Sequence, residues 1–327
     1  MRKIKWGVMG TAYIFERDMA RGMSLAENCS MTAVAGRNRE KAEEFREKYG
    51  FERAYGSYEE LLEDEEIEAV YIPLPNTMHY EWTIKALKSG KHVLCEKPLA
   101  PDAGQAREMF QAAGENHVFL MEAFAYQHSP YIKEIKRAIE EGEIGEVRYL
   151  EAALITSDYD HSNIRMRKET LGGCTYDLGV YALSFIQRMT GVVPTDIHAA
   201  AAFSKEGIDT YTTAVLEYAD GSKAHMDCGM VLETEKNSAL DRFQIHGSKG
   251  CIVSGEFGFN APGTLSYHLR TFDGKDELRT VEVPNNYRLE VEQLGRCICG
   301  EETPYLTEEF SISLAGTVEN ILAKIGY

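Results

Sequence analysis

The sequence predicts an α/β chain in two parts: a doubly wound parallel sheet over residues 1–122, then an α+β part over residues 123–327 built on an open, mainly antiparallel sheet. Three observations carry this. Short, continuously apolar runs alternate with helix-length segments through residue 121. That is the pattern of βαβ units in a sheet covered on both faces. Near Glu122 the pattern changes to segments that alternate apolar and polar residues, the period of a half-buried strand. Asp220-Gly221, between two such segments, is a hairpin signal.

Each element has its own justification. Ile4–Met9 is an apolar strand that ends at Gly10, and residues 12–23 carry helical spacing. Residues 31–35 are apolar again and lead into Gly36-Arg37-Asn38. Arg39–Tyr49 is charged, with Ala42 and Phe45 on one side and Gly50 as its C-cap. Ser57 is placed as an N-cap with Glu60 at the capping-box spacing, opening a helix through Leu61 and Leu62. Ala69–Ile72 is a buried strand stopped by Pro73 and Pro75. A helix over 79–89, a strand over 92–95, the tripeptide Glu96-Lys97-Pro98, a helix over 103–113 and a strand over 118–121 complete the first part. In the second part, strands are expected at Val147–Ile155, Asp196–Phe203, 210–218, 223–228, 243–246 and 265–270. Helices are expected at 130–141, 175–189, 288–299 and 312–325. Ligands of a parallel sheet bind beyond the carboxyl ends of its strands, which singles out residues 10–14, 36–38, 73–79 and 96–98.

Composition narrows the partners. Against 52 Asp+Glu stand 35 Lys+Arg, a formal net charge of −17 at pH 7. So acidic a chain does not have the basic footprint of a nucleic-acid or anionic-membrane binder, which leaves room for a local basic pocket that takes one phosphorylated cofactor. Hydrophobic content of 44% and charged content of 27% suit a folded core and argue against disorder. The seven cysteines, Cys29, Cys95, Cys174, Cys228, Cys251, Cys297 and Cys299, are odd in number and contain no CxxC. They read as reduced thiols in a cytoplasmic protein without a metal site. The basic start Met1-Arg2-Lys3-Ile4-Lys5 precedes an apolar run too short for a signal peptide. No stretch approaches the roughly 18 apolar residues of a membrane span.

The first loop suggests a phosphate cradle. In the pattern G-x-G-x-x-G after a first strand, the glycine positions here hold Gly10, Ala12 and Phe15. Gly10 supports the tight turn, Ala12 still permits close approach of a pyrophosphate, and Phe15 departs from the small residue expected. A purely structural turn and a nucleotide site are both open on this pattern, and its place at the first strand-to-helix junction favours the nucleotide. A carboxylate at the end of the second strand would accept from a ribose 2′-hydroxyl. Gly36-Arg37-Asn38 has none, and a guanidinium grips a 2′-phosphate bidentately. NADP is therefore expected over NAD, the alternative being that Arg37 and Arg39 are solvated loop charges.

Three segments go beyond a generic nucleotide fold: Gly90-Lys91-His92-Val93-Leu94-Cys95-Glu96-Lys97-Pro98-Leu99; Phe119-Leu120-Met121-Glu122-Ala123-Phe124, with Pro130 following; and Gly172-Gly173-Cys174-Thr175-Tyr176-Asp177-Leu178-Gly179-Val180-Tyr181. With the opening Trp6-Gly7-Val8-Met9-Gly10-Thr11-Ala12, the chain resembles the glucose-fructose oxidoreductase / inositol dehydrogenase / MocA family, in the branch of dimeric dihydrodiol dehydrogenases and xylose dehydrogenases. The resemblance covers almost the whole chain and is densest from residue 50 to 190.

The resemblance implies a Rossmann domain followed by an open-sheet domain that carries substrate residues and commonly the dimer interface, hence a homodimer or higher homo-oligomer. It implies a pyridine-nucleotide oxidoreductase that moves a hydride between its cofactor and a sugar, polyol or cyclic diol. Lys97 would sit between nicotinamide ribose and substrate, and the Lys97–Pro98 bond is often cis in relatives. Tyr181 would be the proton donor, with Asp177 beside it. The implied cofactor set is Gly10, Thr11, Ala12, Tyr13, Ile14, Arg37, Leu74, Pro75, Asn76, His79, Glu96 and Lys97. For His79 a structural role and a contacting one are both open. Gln127 stands where relatives commonly carry arginine. His161, Arg165 and Arg167 lie in a polar loop that could face substrate but read better as solvated residues. A non-catalytic nucleotide sensor is the rival reading; it would be expected to lose the lysine or the proton donor, and this chain keeps Lys97, Asp177 and Tyr181.

Elementary chemistry agrees with these roles. Residues 177 and 181 are four apart and share a helix face. The helix N-terminus after Gly172-Gly173 favours anionic forms nearby. A free phenol, with a pKa of about 10, is a poor base at neutral pH, and a nearby ammonium favours its phenolate.

Overall fold

The continuously apolar runs of the first part become strands because a parallel sheet hides both of its faces. In the computed structural model, which describes residues 2–157, 162–191, 193–231 and 240–327, these strands are β1 (Ile4–Met9), β2 (Cys29–Ala35), β3 (Arg53–Tyr55), β4 (Ala69–Ile72), β5 (His92–Glu96) and β6 (Leu120–Ala123). They form one sheet in the order β3-β2-β1-β4-β5-β6, every pair parallel. Between them run α1 (Ala20–Leu25), α2 (Arg39–Tyr49), α3 (Tyr58–Leu62), α4 (Asn76–Lys88) and α5 (Ala103–Glu115). The order reverses between β1 and β4, and that switch point is where such a sheet opens a crevice. The expected helix over 12–23 passes through a π-helical turn, Phe15–Met19, before α1. Phe15, the misfit of the glycine pattern, is fully buried there. Its ring packs against Phe45, Tyr49 and Phe51 at centroid distances of 6.1, 5.2 and 5.7 Å. Ser57 caps α3 by accepting from the Glu60 amide at 3.2 Å, and Glu60 returns to the Gly56 amide at 3.0 Å.

The second sheet has eight strands: β7 (Val147–Ile155), β8 (Asp196–Phe203), β9 (Asp209–Glu217), β10 (Lys223–Gly229), β11 (Leu240–Gly247), β12 (Gly250–Ser254), β13 (Gly263–Thr271) and β14 (Asp276–Val283). Their order is β14-β13-β12-β11-β7-β10-β9-β8, antiparallel except for the β10–β7 pair. Helices α6 (Pro130–Glu140) and α7 (Val180–Thr190) supply the other layer. Tyr131 of α6 meets Phe243 and Tyr267 at 6.3 and 5.9 Å, and Phe185 of α7 meets Phe243 at 4.7 Å. Strands β3, β12 and β14 were not expected. β3 has three residues, and β14 is an edge strand whose exposed positions are charged at Asp276 and Glu282 and uncharged at Leu278 and Thr280.

Two further helices, α8 (Asn286–Ile298) and α9 (Glu308–Ile325), complete the described elements. The chain divides into two compact units: Met1–Ala125 with Asn285–Ile312, and Tyr126–Pro284 with Ser313–Tyr327. A single division after residue 122 placed α8 in the second part; it packs instead with the first. Asn28 Nδ2 donates to the Glu292 carbonyl at 2.8 Å, and the Tyr287 hydroxyl donates to Asp18 Oδ2 at 3.2 Å. These contacts span more than 260 residues, so no local pattern announces them.

Within the first unit, β6 carries a buried carboxyl, Glu122, which accepts from the Leu99 amide at 2.9 Å and so holds the chain that follows Glu96-Lys97-Pro98. Burial pushes Glu122 up to about 7, offset in part by the Leu99 amide and the Lys97 ammonium. A carboxyl raised in the folded state favours folding below its ordinary value and costs stability as pH climbs from 4.5 toward 7. Glu122→Gln keeps an acceptor for the Leu99 amide and removes the charge. Its urea-unfolding free energy is expected to match the parent near pH 4.5 and to exceed it by roughly 1–3 kcal/mol at pH 8. The same difference at both pH values would contradict this account.

Candidate active site

In the first unit three turns converge at the carboxyl end of the parallel sheet. β1 leads into Gly10, whose φ of 122° lies where side chains are strained. Its amide donates to the Ala35 carbonyl at the end of β2 at 2.8 Å. Leu74, from the turn after β4, packs against this loop: a Cβ on Gly10 would lie 3.1 Å from its Cδ2. Thr11 packs beside Gly36, which brings the first turn next to Gly36-Arg37-Asn38. Ala12 and Ile14 are partly exposed and Tyr13 is 69% exposed, at the start of the helical stretch. The first amides of a helix have no intrahelical partner, which suits such a turn to anionic groups. The shape and donors of these residues therefore fit a dinucleotide diphosphate.

Arg37 is exposed beyond β2. Beneath it lies Tyr58, whose hydroxyl would be 3.9 Å from a Cβ on Gly10 and whose ring meets Trp82 edge-on at 4.8 Å. Burial pushes the Tyr58 hydroxyl up and the neighbouring Arg37 guanidinium holds it down. Pro75 and Asn76 are partly exposed, and α4 begins at Asn76, earlier than the expected residue 79. His79 is fully buried. Its Nδ1 faces the Pro98 carbonyl and its Nε2 the Leu74 carbonyl, each at 2.8 Å. Burial pushes His79 down, while the Pro98 and Leu74 carbonyls hold it up. Neither nitrogen is left to contact a cofactor; His79 ties the Leu74 turn to the Lys97 turn. Glu96 accepts from the Tyr71 hydroxyl at 2.5 Å, Lys97 is partly exposed, and the Lys97–Pro98 bond is cis.

In the second unit the Gly172-Gly173 pair packs against the 165–167 loop. Gly172 and Gly173 donate their amides to the Arg167 and Arg165 carbonyls at 2.9 and 2.8 Å. Gly173 has φ 107°, and a Cβ there would collide with Asp209. One oxygen of buried Asp209, Oδ2, accepts from the Thr175 amide at 2.8 Å, Thr175 Oγ1 at 2.6 Å, Thr212 Oγ1 at 2.9 Å and Cys174 Sγ at 3.1 Å. On the other side the Tyr327 hydroxyl donates to the Gly172 carbonyl at 2.7 Å. From this held turn the chain runs as a π-helical segment, Thr175–Gly179, into α7, where a continuous α-helix was expected. Asp177 is buried, and Arg165 Nε pairs with its Oδ1 at 2.8 Å.

Tyr181 is partly exposed, with its ring between Tyr126 (5.8 Å) and Phe259 (5.7 Å). Asn260 Nδ2 donates to its hydroxyl oxygen at 3.2 Å. Tyr126, by contrast, is sealed, its hydroxyl paired with Ser184 Oγ at 2.7 Å, and burial pushes it far up. Gln127 is fully buried, donating to the Tyr126 hydroxyl at 2.6 Å and accepting from Arg188 Nε at 2.9 Å. It braces the wall behind Tyr181.

Of the polar loop, Arg165 is engaged by Asp177 and is not a solvated charge, Arg167 is exposed with one contact to the Ser162 carbonyl at 3.0 Å, and His161 lies outside the described residues. Tyr58, Asp209, Asn260 and Tyr327 carried no sequence signal, because each meets its partner in its own unit across more than 20 residues of chain. All seven cysteines are free thiols. Among the described residues no His/Cys/Asp/Glu group is arranged to hold a metal, and no helix is long and apolar enough to cross a membrane.

Comparison with known proteins matches these halves to two family models. Residues 4–124 match the GFO/IDH/MocA oxidoreductase family with an NAD-binding Rossmann fold, and residues 132–253 match the GFO/IDH/MocA C-terminal domain. D-xylose 1-dehydrogenase (NADP(+)) 2 of Haloferax volcanii is 31% identical over 97% of this chain and 95% of its own. Trans-1,2-dihydrobenzene-1,2-diol dehydrogenase of Xenopus laevis is 29% identical over 98% of each chain. Among solved structures, the 3-ketoreductase KijD10 of Actinomadura kijaniata, in complex with NADP and TDP-benzene, superposes with a TM-score of 0.89 and 28% identity over 99% of this chain and 98% of its own. Two matched domain models that together span most of the chain, on a sheet that reverses at its first strand, make this protein a member of the GFO/IDH/MocA family of NAD(P)-dependent oxidoreductases.

Proposed function

We propose that this enzyme uses NADP to interconvert a secondary alcohol and a carbonyl on a sugar, polyol or cyclic diol, with Tyr181 as proton donor and Lys97 as the cation at the reacting carbonyl. One observation carries the reading: the helical segment clamped by Asp209 and Tyr327 presents a partly exposed phenol at residue 181, beside a buried tyrosine that cannot serve. The substrate class follows the xylose and dihydrodiol dehydrogenases to which the chain is similar. NADP is favoured by Arg37 at the end of β2, where no carboxylate competes.

When bound, the nicotinamide cofactor supplies the hydride. The chain does the rest. Gly10 to Ile14 hold the diphosphate and Arg37 holds the 2′-phosphate. Leu74, Pro75 and Asn76 line the cofactor, and His79 keeps that turn tied to the Lys97 turn. As the carbonyl is reduced its oxygen gains negative charge, which the Lys97 ammonium stabilises. Tyr181 gives its hydroxyl proton to that oxygen and recovers one from water. Asp177, fixed by Arg165, orients the substrate hydroxyl next to the reacting carbon. A cytoplasmic homodimer, with the outer face of the second sheet as its surface, belongs to the same reading.

The test mixes the protein with NADPH or NADP+ and a panel of aldoses, polyols and cyclic diols or diketones while following cofactor absorbance. Turnover with at least one class is expected; tight NADPH binding without turnover on any of them would defeat the reading. Tyr181→Phe is expected to lower kcat by roughly 100-fold or more while leaving NADPH affinity within about twofold, because only the proton path is lost. Arg37→Ala is expected to raise the Kd for NADPH by roughly tenfold or more and leave that for NADH nearly unchanged, measured by fluorescence titration. Equal losses for the two would exclude 2′-phosphate recognition by Arg37. Lys97→Met is expected to depress kcat across the whole pH range; recovery at high pH alone would reduce Lys97 to a tuner of acidity.

A further inference from the structure

A tyrosine that donates a proton must keep its hydroxyl hydrogen turned toward the acceptor. A phenol oxygen has one hydrogen to give and lone pairs to receive with. In the second unit the amide nitrogen of Asn260, a pure donor, faces the Tyr181 oxygen at 3.2 Å. Its own oxygen, Oδ1, is buried without a hydrogen-bond partner among the described residues. Asn260 therefore occupies a lone pair of Tyr181 and does not take its hydrogen.

The loop that carries Asn260 is built to hold it. Asn260 lies between β12 and β13, next to Phe259, and the Phe259 amide donates to Asp241 Oδ2 on β11 at 2.9 Å. The Phe259 ring packs on Tyr181 at 5.7 Å, on Tyr126 at 5.1 Å and on Phe257 at 5.1 Å. The loop thus meets Tyr181 with a wall and one aimed donor. Among the described residues, the titratable and charged groups on the elements packed about Tyr181 include Tyr126, bound to Ser184; Arg188, bound to Gln127; Asp241 under the loop; and Asp177, on its own helical segment and paired with Arg165.

We propose that Asn260 is a positioning residue for the proton donor: its side-chain amide donates to the Tyr181 oxygen, directs the phenol hydrogen away from the loop, and stabilises the phenolate left when that hydrogen has gone. In reduction, the Tyr181 O–H bond breaks, its hydrogen forms the new O–H bond of the product alcohol, and the Asn260 N–H remains on the phenolate oxygen. In oxidation the same contact favours the phenolate that accepts the alcohol proton. The proposal rests on the assignment of Tyr181 as proton donor.

The experiment reads the phenol directly, without substrate. Protein labelled with 13C at the tyrosine ring carbon bearing oxygen is titrated by NMR, and the Tyr181 signal is identified by its loss in Tyr181→Phe. Asn260→Ala is expected to move the midpoint of that signal up by about one pH unit, since a hydrogen bond to a charged group contributes roughly 1.5–3 kcal/mol in favourable sites and one unit is about 1.4. Asn260→Asp, which replaces the donor by a carboxylate, is expected to move it further in the same direction. Unchanged signals from the remaining tyrosines establish that each variant is folded. In steady-state oxidation of an accepted alcohol, kcat should fall by roughly tenfold at pH 7, with the limb on which it rises with pH displaced upward by the same amount as the NMR midpoint. An unmoved midpoint in both variants would overturn the proposal, even if kcat falls, since it would leave Asn260 with packing alone. Full turnover in Tyr181→Phe would instead remove the proton-donor assignment itself, whatever Asn260 does to the titration.

Discussion

One carboxylate oxygen organises the candidate residues of the second unit. Asp209 Oδ2 gathers four donors, two of them from Thr175, at the start of the segment that presents Asp177 and Tyr181. A helix start leaves backbone amides without partners, and an acceptor from another part of the chain satisfies them as an N-cap would. Here the cap comes from β9, 34 residues further on. It requires a glycine at 173, because any Cβ would collide with the carboxylate. Gly173 thus leaves the space that Asp209 occupies, Gly172 the space of the Arg165 and Arg167 carbonyls, and Tyr327 closes the same turn from the Gly172 carbonyl.

The first unit solves the equivalent problem with buried polar side chains. His79 lies between two carbonyls and joins the Leu74 and Pro98 turns. Glu122 holds the Leu99 amide, and Tyr71 holds Glu96. Glu290 of α8 lies fully buried, and burial pushes its carboxyl well above the ordinary range, with Glu96 adding to the effect. Burial thus pushes the carboxyls of both Glu122 and Glu290 toward their neutral forms. The distribution is electrostatic economy of a familiar kind, in which burial and not distance removes charge.

Much of this was legible in the residues. The apolar runs and the Gly50 and Ser57 caps are local signals, and the structure shows strand and cap where they point; the cis Lys97–Pro98 bond was implied by the family resemblance. Of the motif residues, Gly10 packs beside Leu74, and Asp177 and Tyr181 stand on one continuous helical stretch. Other residues took their places only in the fold. Arg165 looks solvated because nothing near it in the chain is acidic in the right place; its partner Asp177 is brought by the fold. His79 looks like a contact because it follows the cofactor loop, yet its burial and two carbonyl neighbours assign it to bracing.

The sequence alone determined the alternation of elements, the order in which chemistry-bearing loops follow strands, and the family. These depend on periodicity and on residues adjacent in the chain, where backbone preference and side-chain pattern act directly. Only the tertiary structure decided that residues 285–312 return to the first unit, that Asp209 and Tyr327 hold the glycine turn, and that an amide from residue 260 meets the phenol at 181. Each of these is a pairing across tens to hundreds of residues. Burial and unsatisfied hydrogen-bonding groups choose such partners in space, and no spacing in the chain records the choice.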